Sequence, residues 1–170
     1  MKSFTEQEQE QRLIHTKDID LLWMFYNHND YRFREAVASN DNCPIDLLEK
    51  LSNDIFYTVI IKVFNNKNCT KDLIMKFSDS KDVNIKLGII KSVNCPVCIY
   101  YKFYLDSNDS IRRAIANNSN CPVDILEKFI DDEHCDITLD MTLDIIYNKN
   151  CPDYLIEKIY NKYSSNDYIK

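Results

Sequence analysis

Asn40-Asp41-Asn42-Cys43-Pro44 decides how this chain is read, because it returns as Asn66-Lys67-Asn68-Cys69, Asn94-Cys95-Pro96, Asn118-Ser119-Asn120-Cys121-Pro122 and Asn148-Lys149-Asn150-Cys151-Pro152. Successive cysteines of the motif lie 26, 26, 26 and 30 residues apart. A fixed period in this range marks stacked helical units. Ten and six places before each cysteine stand Phe33 and Val37, Val59 and Val63, Ile85 and Ile89, Ile111 and Ile115, Met141 and Ile145. That i, i+4 spacing predicts one amphipathic helix before the motif. Apolar residues four, five and eight places after it, as in Leu47, Leu48 and Leu51 or Ile125, Leu126 and Phe129, predict a second. Neither helix buries its face alone, so the expected fold is all-α, an α-solenoid of about six two-helix repeats with a 26-residue period.

The sixth repeat is degenerate. Asp18-Ile19-Asp20-Leu21-Leu22 echoes Pro44-Ile45-Asp46-Leu47-Leu48 at the same spacing. Before it, Ser3 or Thr5 with Glu6 or Glu8 forms a capping box that opens a polar helix to about His15, suited to the end of a stack. We therefore read 1–30 as an N-terminal cap, 31–163 as five tandem repeats and 164–170 as a tail, in one domain.

The motif itself predicts local geometry. Every proline follows a repeat cysteine, which suggests Cys at the N-cap and Pro in the first helical position. Asp46, Asp72 and Asp124 then sit in the first turn against the positive helix end, each worth about 0.3 to 1 kcal/mol. Asn40, Asn66, Asn118 and Asn148 are placed to close the preceding helix in a left-handed conformation, which Asn tolerates best after Gly.

A chain of 170 residues that is 45% hydrophobic can bury a core of ordinary size. No apolar run approaches the roughly 20 residues that cross a bilayer. The N-terminus lacks the apolar stretch of a secretory signal, so the expected location is the cytoplasm. The cysteine row agrees, since stacked helices stand about 8 to 10 Å apart and a disulfide needs Cα atoms within about 7 Å. Reduced thiols follow.

Arg34-Glu35-Ala36-Val37-Ala38-Ser39-Asn40 through Leu51, and Arg112-Arg113-Ala114-Ile115-Ala116-Asn117 through Leu126, resemble leucine-rich repeat variant units. The resemblance covers about 16–163. It departs at Thr70, where proline is usual, at Ser92 in the Asn place and at Cys98 in the first-turn Asp place, and the unit is longer than the common one. The resemblance implies a HEAT-like right-handed superhelix with a binding role and no reaction. It brings no cysteine cluster for an iron–sulfur group.

The residues point the same way. His15, His28 and His134 come with no nucleophile and orienting carboxylate, and one Gly in the chain leaves no phosphate-cradling loop. No catalytic residue, cofactor or metal is expected. Cys95-Pro96-Val97-Cys98 is a lone C-x-x-C, without the second pair or His that zinc requires. Lys50, Lys76, Lys102, Lys128 and Lys158 all stand seven places after the cysteine and form a file that could follow a phosphate backbone. Neighbouring Glu49, Glu127 and Glu157 and a net charge of −6 argue against nucleic acid.

Two surfaces are candidates for a protein partner. The fifth repeat holds the insertion and carries Glu133, Asp136, Asp140 and Asp144, the three aspartates aligning at i, i+4 and i+8. Like charges so spaced repel, which invites a partner with a basic surface. In the third repeat Tyr101 and Tyr104 fall off the buried stripe and suit an interface. The expected function is a non-enzymatic protein-binding module. Two alternatives are a small acidic inhibitor of a nucleic-acid enzyme, of phage or mobile-element type, and a HEAT-like nucleic-acid binder using the lysine file. The sequence leaves the oligomeric state open, along with any role for Cys98 and Cys135.

Overall fold

The computed structural model describes residues 5–131 and 138–164. Among the described residues there are twelve helices and no strand. They are α1 (Glu6–His15), α2 (Ile19–Phe25), α3 (Tyr31–Ala38), α4 (Ile45–Leu51), α5 (Tyr57–Asn65), α6 (Lys71–Met75), α7 (Val83–Lys91), α8 (Val97–Phe103), α9 (Asp109–Ala116), α10 (Val123–Asp131), α11 (Leu139–Ile146) and α12 (Asp153–Ser164). The protein is all-α, with one helix on each side of every Asn-Cys motif. The chain divides into two compact units, Met1–Cys95 and Pro96–Lys170.

In the first unit α1 packs on α3, α3 on α5 and α5 on α7, while α2 and α4 flank this row. The stripe residues Phe33, Val37, Val59, Val63, Ile85 and Ile89 are all buried. Gly88 of α7 lies against α5, and a Cβ there would stand 2.7 Å from Cγ1 of Ile61. The capping box of α1 forms as expected, between Thr5 and Glu8. In the second unit α9 packs on α11 and α8 on α9, with Ile111, Ile115, Met141 and Ile145 buried in the same register.

Two local expectations need correction. Pro44 and Pro96 are themselves the N-caps, in extended conformation, and the cysteine precedes them. Proline's fixed φ suits this place as well, and its carbonyl accepts the first helical bond, from Leu48 N–H at 3.0 Å in the first case. The motif asparagines, in turn, are not left-handed: no described residue has positive φ. Asn40, Asn66 and Asn148 are buried, and their amides bridge repeats. Asn66 Nδ2 donates to the carbonyls of Ala38 (2.7 Å) and Asn40 (2.8 Å), while its Oδ1 accepts from Asn68 N–H (2.9 Å). Asn40 does the same toward Leu13, Thr16 and Asn42. In the second unit Asn148 reaches Ala116, Asn118 and Asn150. Ser92 replaces the amide with a hydroxyl that donates to the Phe64 carbonyl and accepts from Asn94 N–H. These side chains therefore satisfy carbonyls at the end of the preceding repeat's helix, groups that a helix end leaves without an intrahelical partner.

The cysteine row is buried at Cys43, Cys69, Cys95 and Cys121 and half-buried at Cys151, and Cys98 is exposed. Burial pushes the thiols of Cys43 and Cys121 up to about 12 and that of Cys69 to about 11. Because the thiolate is the reactive species, native protein treated with a thiol reagent is expected to label at Cys98 well before Cys43, Cys69 or Cys121. Mass-spectrometric mapping checks this. Early labelling of Cys69 would contradict the buried row. Cys135 lies outside the described residues.

Candidate functional site

The loops that enter the first helix of each repeat carry a regularity with one exception. Their N-cap residues are Thr5, Asp30, Phe56, Asp82, Asn108 and Thr138. Each polar member accepts a hydrogen bond from a first-turn N–H, as in Asp82 Oδ1 from Asn84 N–H at 2.7 Å. Phe56 supplies none. Loss of a side-chain cap costs about 0.5 to 2 kcal/mol. What stands there instead is an apolar knob: Ile55 is 89% exposed, Phe56 41%, Tyr57 45% and Tyr31 38%. Tyr31 and Phe56 stack with ring centroids 4.8 Å apart and planes 17° from parallel.

The knob is held from below. Arg34 and Asp54 form a buried two-pronged pair, Nε to Oδ2 at 2.6 Å and NH2 to Oδ1 at 2.9 Å. A third arm of Arg34 donates to the carbonyls of His28 (2.6 Å) and Asn29 (3.2 Å). Asp54 Oδ1 also accepts from Phe56 N–H at 2.9 Å, so the pair fixes the residue that bears the ring. Burial alone would raise the Asp54 carboxyl, but the bonds from Arg34 and from the backbone outweigh it and hold it low. Arg112, three 26-residue periods on, repeats the carbonyl arm by donating to the Asp106 carbonyl at 2.8 Å.

Beside the knob opens a cleft of about 400 Å³ lined by Tyr26, His28, Arg34, Lys50, Ile55 and Phe56, among others. Asp30 and Arg32, on either side of Tyr31 in the chain, belong to an acidic group. Arg32 gathers three carboxylates, Asp30 at 2.5 Å, Glu6 at 2.9 Å and Glu10 at 3.5 Å, so the group keeps a surplus of two negative charges. The hydrogen bonds from Arg32 hold the Asp30 carboxyl down at about 2. An exposed apolar projection with charged residues near it suits a protein contact.

The sequence candidates are placed as follows. Asp140 and Asp144 both bind Arg113 of the preceding repeat, at 3.1 and 2.7 Å. Their stripe therefore has a partner within the fold, and the repulsion expected from spacing is offset locally. Glu133 and Asp136 lie outside the described residues, as does His134. Tyr101 donates its hydroxyl to both oxygens of Asp124 (2.9 and 2.7 Å), and Lys128 Nζ lies 4.8 Å from the Tyr101 ring centroid and 5.7 Å from that of Tyr104. Tyr104 also meets Phe129 edge-on at 6.3 Å.

The lysine file is largely engaged. Lys50 Nζ lies 5.9 Å from the Trp23 ring centroid. Lys76 pairs with Glu49 at 3.5 Å, Lys128 with Asp124 at 3.6 Å and Lys158 with Asp131 at 2.7 Å. Lys102 is exposed. Lys50 and Lys76 belong to the first unit and the other three to the second. No group of His, Cys, Asp and Glu among the described residues could hold a metal, and none of their helices is long and apolar enough to cross a membrane.

The Ile55–Phe56 knob was missed by reading the repeat for its apolar stripe. Its signal was present: aligned by the period, Phe56 falls where Asp30, Asp82, Asn108 and Thr138 stand. The chain matches no protein-family model, no curated protein sequence and no solved structure.

Proposed function

We propose that this chain is a non-enzymatic protein-binding module, a right-handed α-solenoid of the leucine-rich repeat variant kind working in the cytoplasm, which engages a partner through the Ile55–Phe56 knob. The observation that carries this reading is the missing cap at Phe56, a local loss of stability that places large apolar groups in water. Exposed apolar clusters rimmed by polar residues mark interaction sites. The flanking Glu6, Glu10 and Asp30 suit a partner with a basic rim around an apolar pocket, and such charges act mainly on the association rate.

The test is the double change Ile55→Ser with Phe56→Asp. An aspartate restores the cap that Asp30 and Asp82 supply, so the melting temperature should hold or rise. Affinity for a partner captured from the source cells should fall by about 30-fold or more, the loss expected of a central anchor. A variant that melts as high and binds as well places the contact elsewhere.

A further inference from the structure

The cleft beside the knob is lined by Lys50, a member of the lysine file that differs from its neighbour in the next repeat. Lys76 pairs with Glu49 of the preceding repeat at 3.5 Å. One 26-residue period earlier Trp23 stands in place of Glu49, so Lys50 reaches an indole ring, 5.9 Å to its centroid, where Lys76 reaches a carboxylate. Asp46 offers no substitute. It stands four places before Lys50, as Asp124 stands before Lys128, but Asp124 lies 3.6 Å from its lysine whereas Asp46 accepts from the N–H of Leu47 at 3.0 Å. Among the described residues no carboxylate pairs with Lys50, which is exposed.

The remaining polar groups of the cleft are either satisfied or able to donate. Arg34 is fully engaged by Asp54 and by the carbonyls of His28 and Asn29. His28 is half-buried in contact with Phe25 and Phe33, ring centroids 5.6 and 4.4 Å away, and its Nδ1 accepts from Asp30 N–H at 3.1 Å. A neutral imidazole that accepts at one nitrogen carries its hydrogen on the other. Nε2–H is therefore a donor on a held ring, with no partner among the described residues.

We infer that this cleft takes an acidic side chain of the protein partner, an aspartate or glutamate next to an apolar residue. The Lys50 ammonium supplies the charge and His28 Nε2–H a second hydrogen bond, and bonds of this charged kind are the stronger ones. Tyr26, Ile55 and Phe56 line the same cleft and offer surface to the apolar neighbour. A carboxylate fits better than a phosphate. Of the two permanent cations in the lining, Arg34 is held by Asp54, which leaves one positive charge, whereas a phosphate group carries nearly two negative charges and suits an arginine cluster. The inference rests on the reading of this region as a protein contact, and it gives that contact a polarity. The partner presents an acidic residue to Lys50 and basic ones to Glu6, Glu10 and Asp30.

Selection of peptides about twelve residues long from a random displayed library, with the full chain as bait, tests it. The peptides recovered should carry Asp or Glu beside an apolar residue, and their binding should weaken as salt rises. A synthetic peptide of the recovered sequence should bind Lys50→Glu about tenfold or more weakly, because like charges then face each other. Exchanging its acidic residue for lysine should restore binding to Lys50→Glu and abolish it with the wild type. Should Lys50→Glu melt lower than the wild type, Lys50→Gln keeps the test decisive, with a smaller loss in the same direction. A library that yields no binder, binders without an acidic residue, or an acidic peptide that both Lys50 variants bind as well as the wild type overturns the inference. The knob is judged separately, by the response of the captured partner to Ile55→Ser with Phe56→Asp. If that response is absent while the peptides depend on Lys50, the contact lies in the cleft and not on the knob; the opposite pattern removes the cleft alone.

Discussion

Replacing Asn66 by Leu should destabilise the first unit by about 3 to 5 kcal/mol, although the two side chains are nearly the same shape. The buried amide of Asn66 satisfies the carbonyls of Ala38 and Asn40 and the N–H of Asn68. Leaving a buried polar group without a partner costs about 1 to 3 kcal/mol, and a leucine strands up to three such groups at once. Two comparisons isolate the cause. Asn66→Ser should lose about half as much, because the hydroxyl of Ser92 already serves one carbonyl and one N–H at the equivalent place. Asn68→Ala should cost only about 1 kcal/mol, a single net hydrogen bond's worth, since Asn68 is exposed and water can reach the rim it serves. Urea denaturation with hydrogen exchange on the amides of the first unit measures all three. Equal losses for Leu and Ser would mean that shape and not hydrogen bonding fixes the joint.

Arg34→Met should cost a similar amount, about 3 to 5 kcal/mol, because it abandons a buried carboxylate whose partner cannot be replaced by water. The side chains of Arg34 and Asp54 are 9% and 7% exposed, and the same change also frees the carbonyls of His28 and Asn29. Arg34→Lys should recover little, since an ammonium cannot make the two-pronged contact and hold the loop carbonyls together. The pH dependence has a definite sign. The folded carboxyl of Asp54 is held below its ordinary value, so the stability it contributes is present above an unfolded value of about 3.9 and is lost as pH falls through the lowered folded value. The gap between wild type and Arg34→Met should therefore narrow in strong acid. A gap independent of pH would show that the pair matters only for its packing.

The sequence by itself determined the helices and the core. A 26-residue period and two apolar stripes suffice because burial depends on which side of a helix a residue occupies, and that is local. Phe33, Val37, Ile115 and Leu126 are buried where the spacing put them. The capping box of α1 was legible for the same reason. What only the tertiary structure decided depends on groups distant along the chain. Asn66 reads as a helix terminator until the Ala38 carbonyl, 28 residues away, is seen beside it. The aspartates of α11 read as unbalanced charge until Arg113 arrives from another repeat. Phe56 reads as one more apolar residue until the caps of the other repeats show what it replaces. Hydrogen bonds and ion pairs need both partners within about 3 to 4 Å, and which partners come that close is settled by stacking, not by any one repeat.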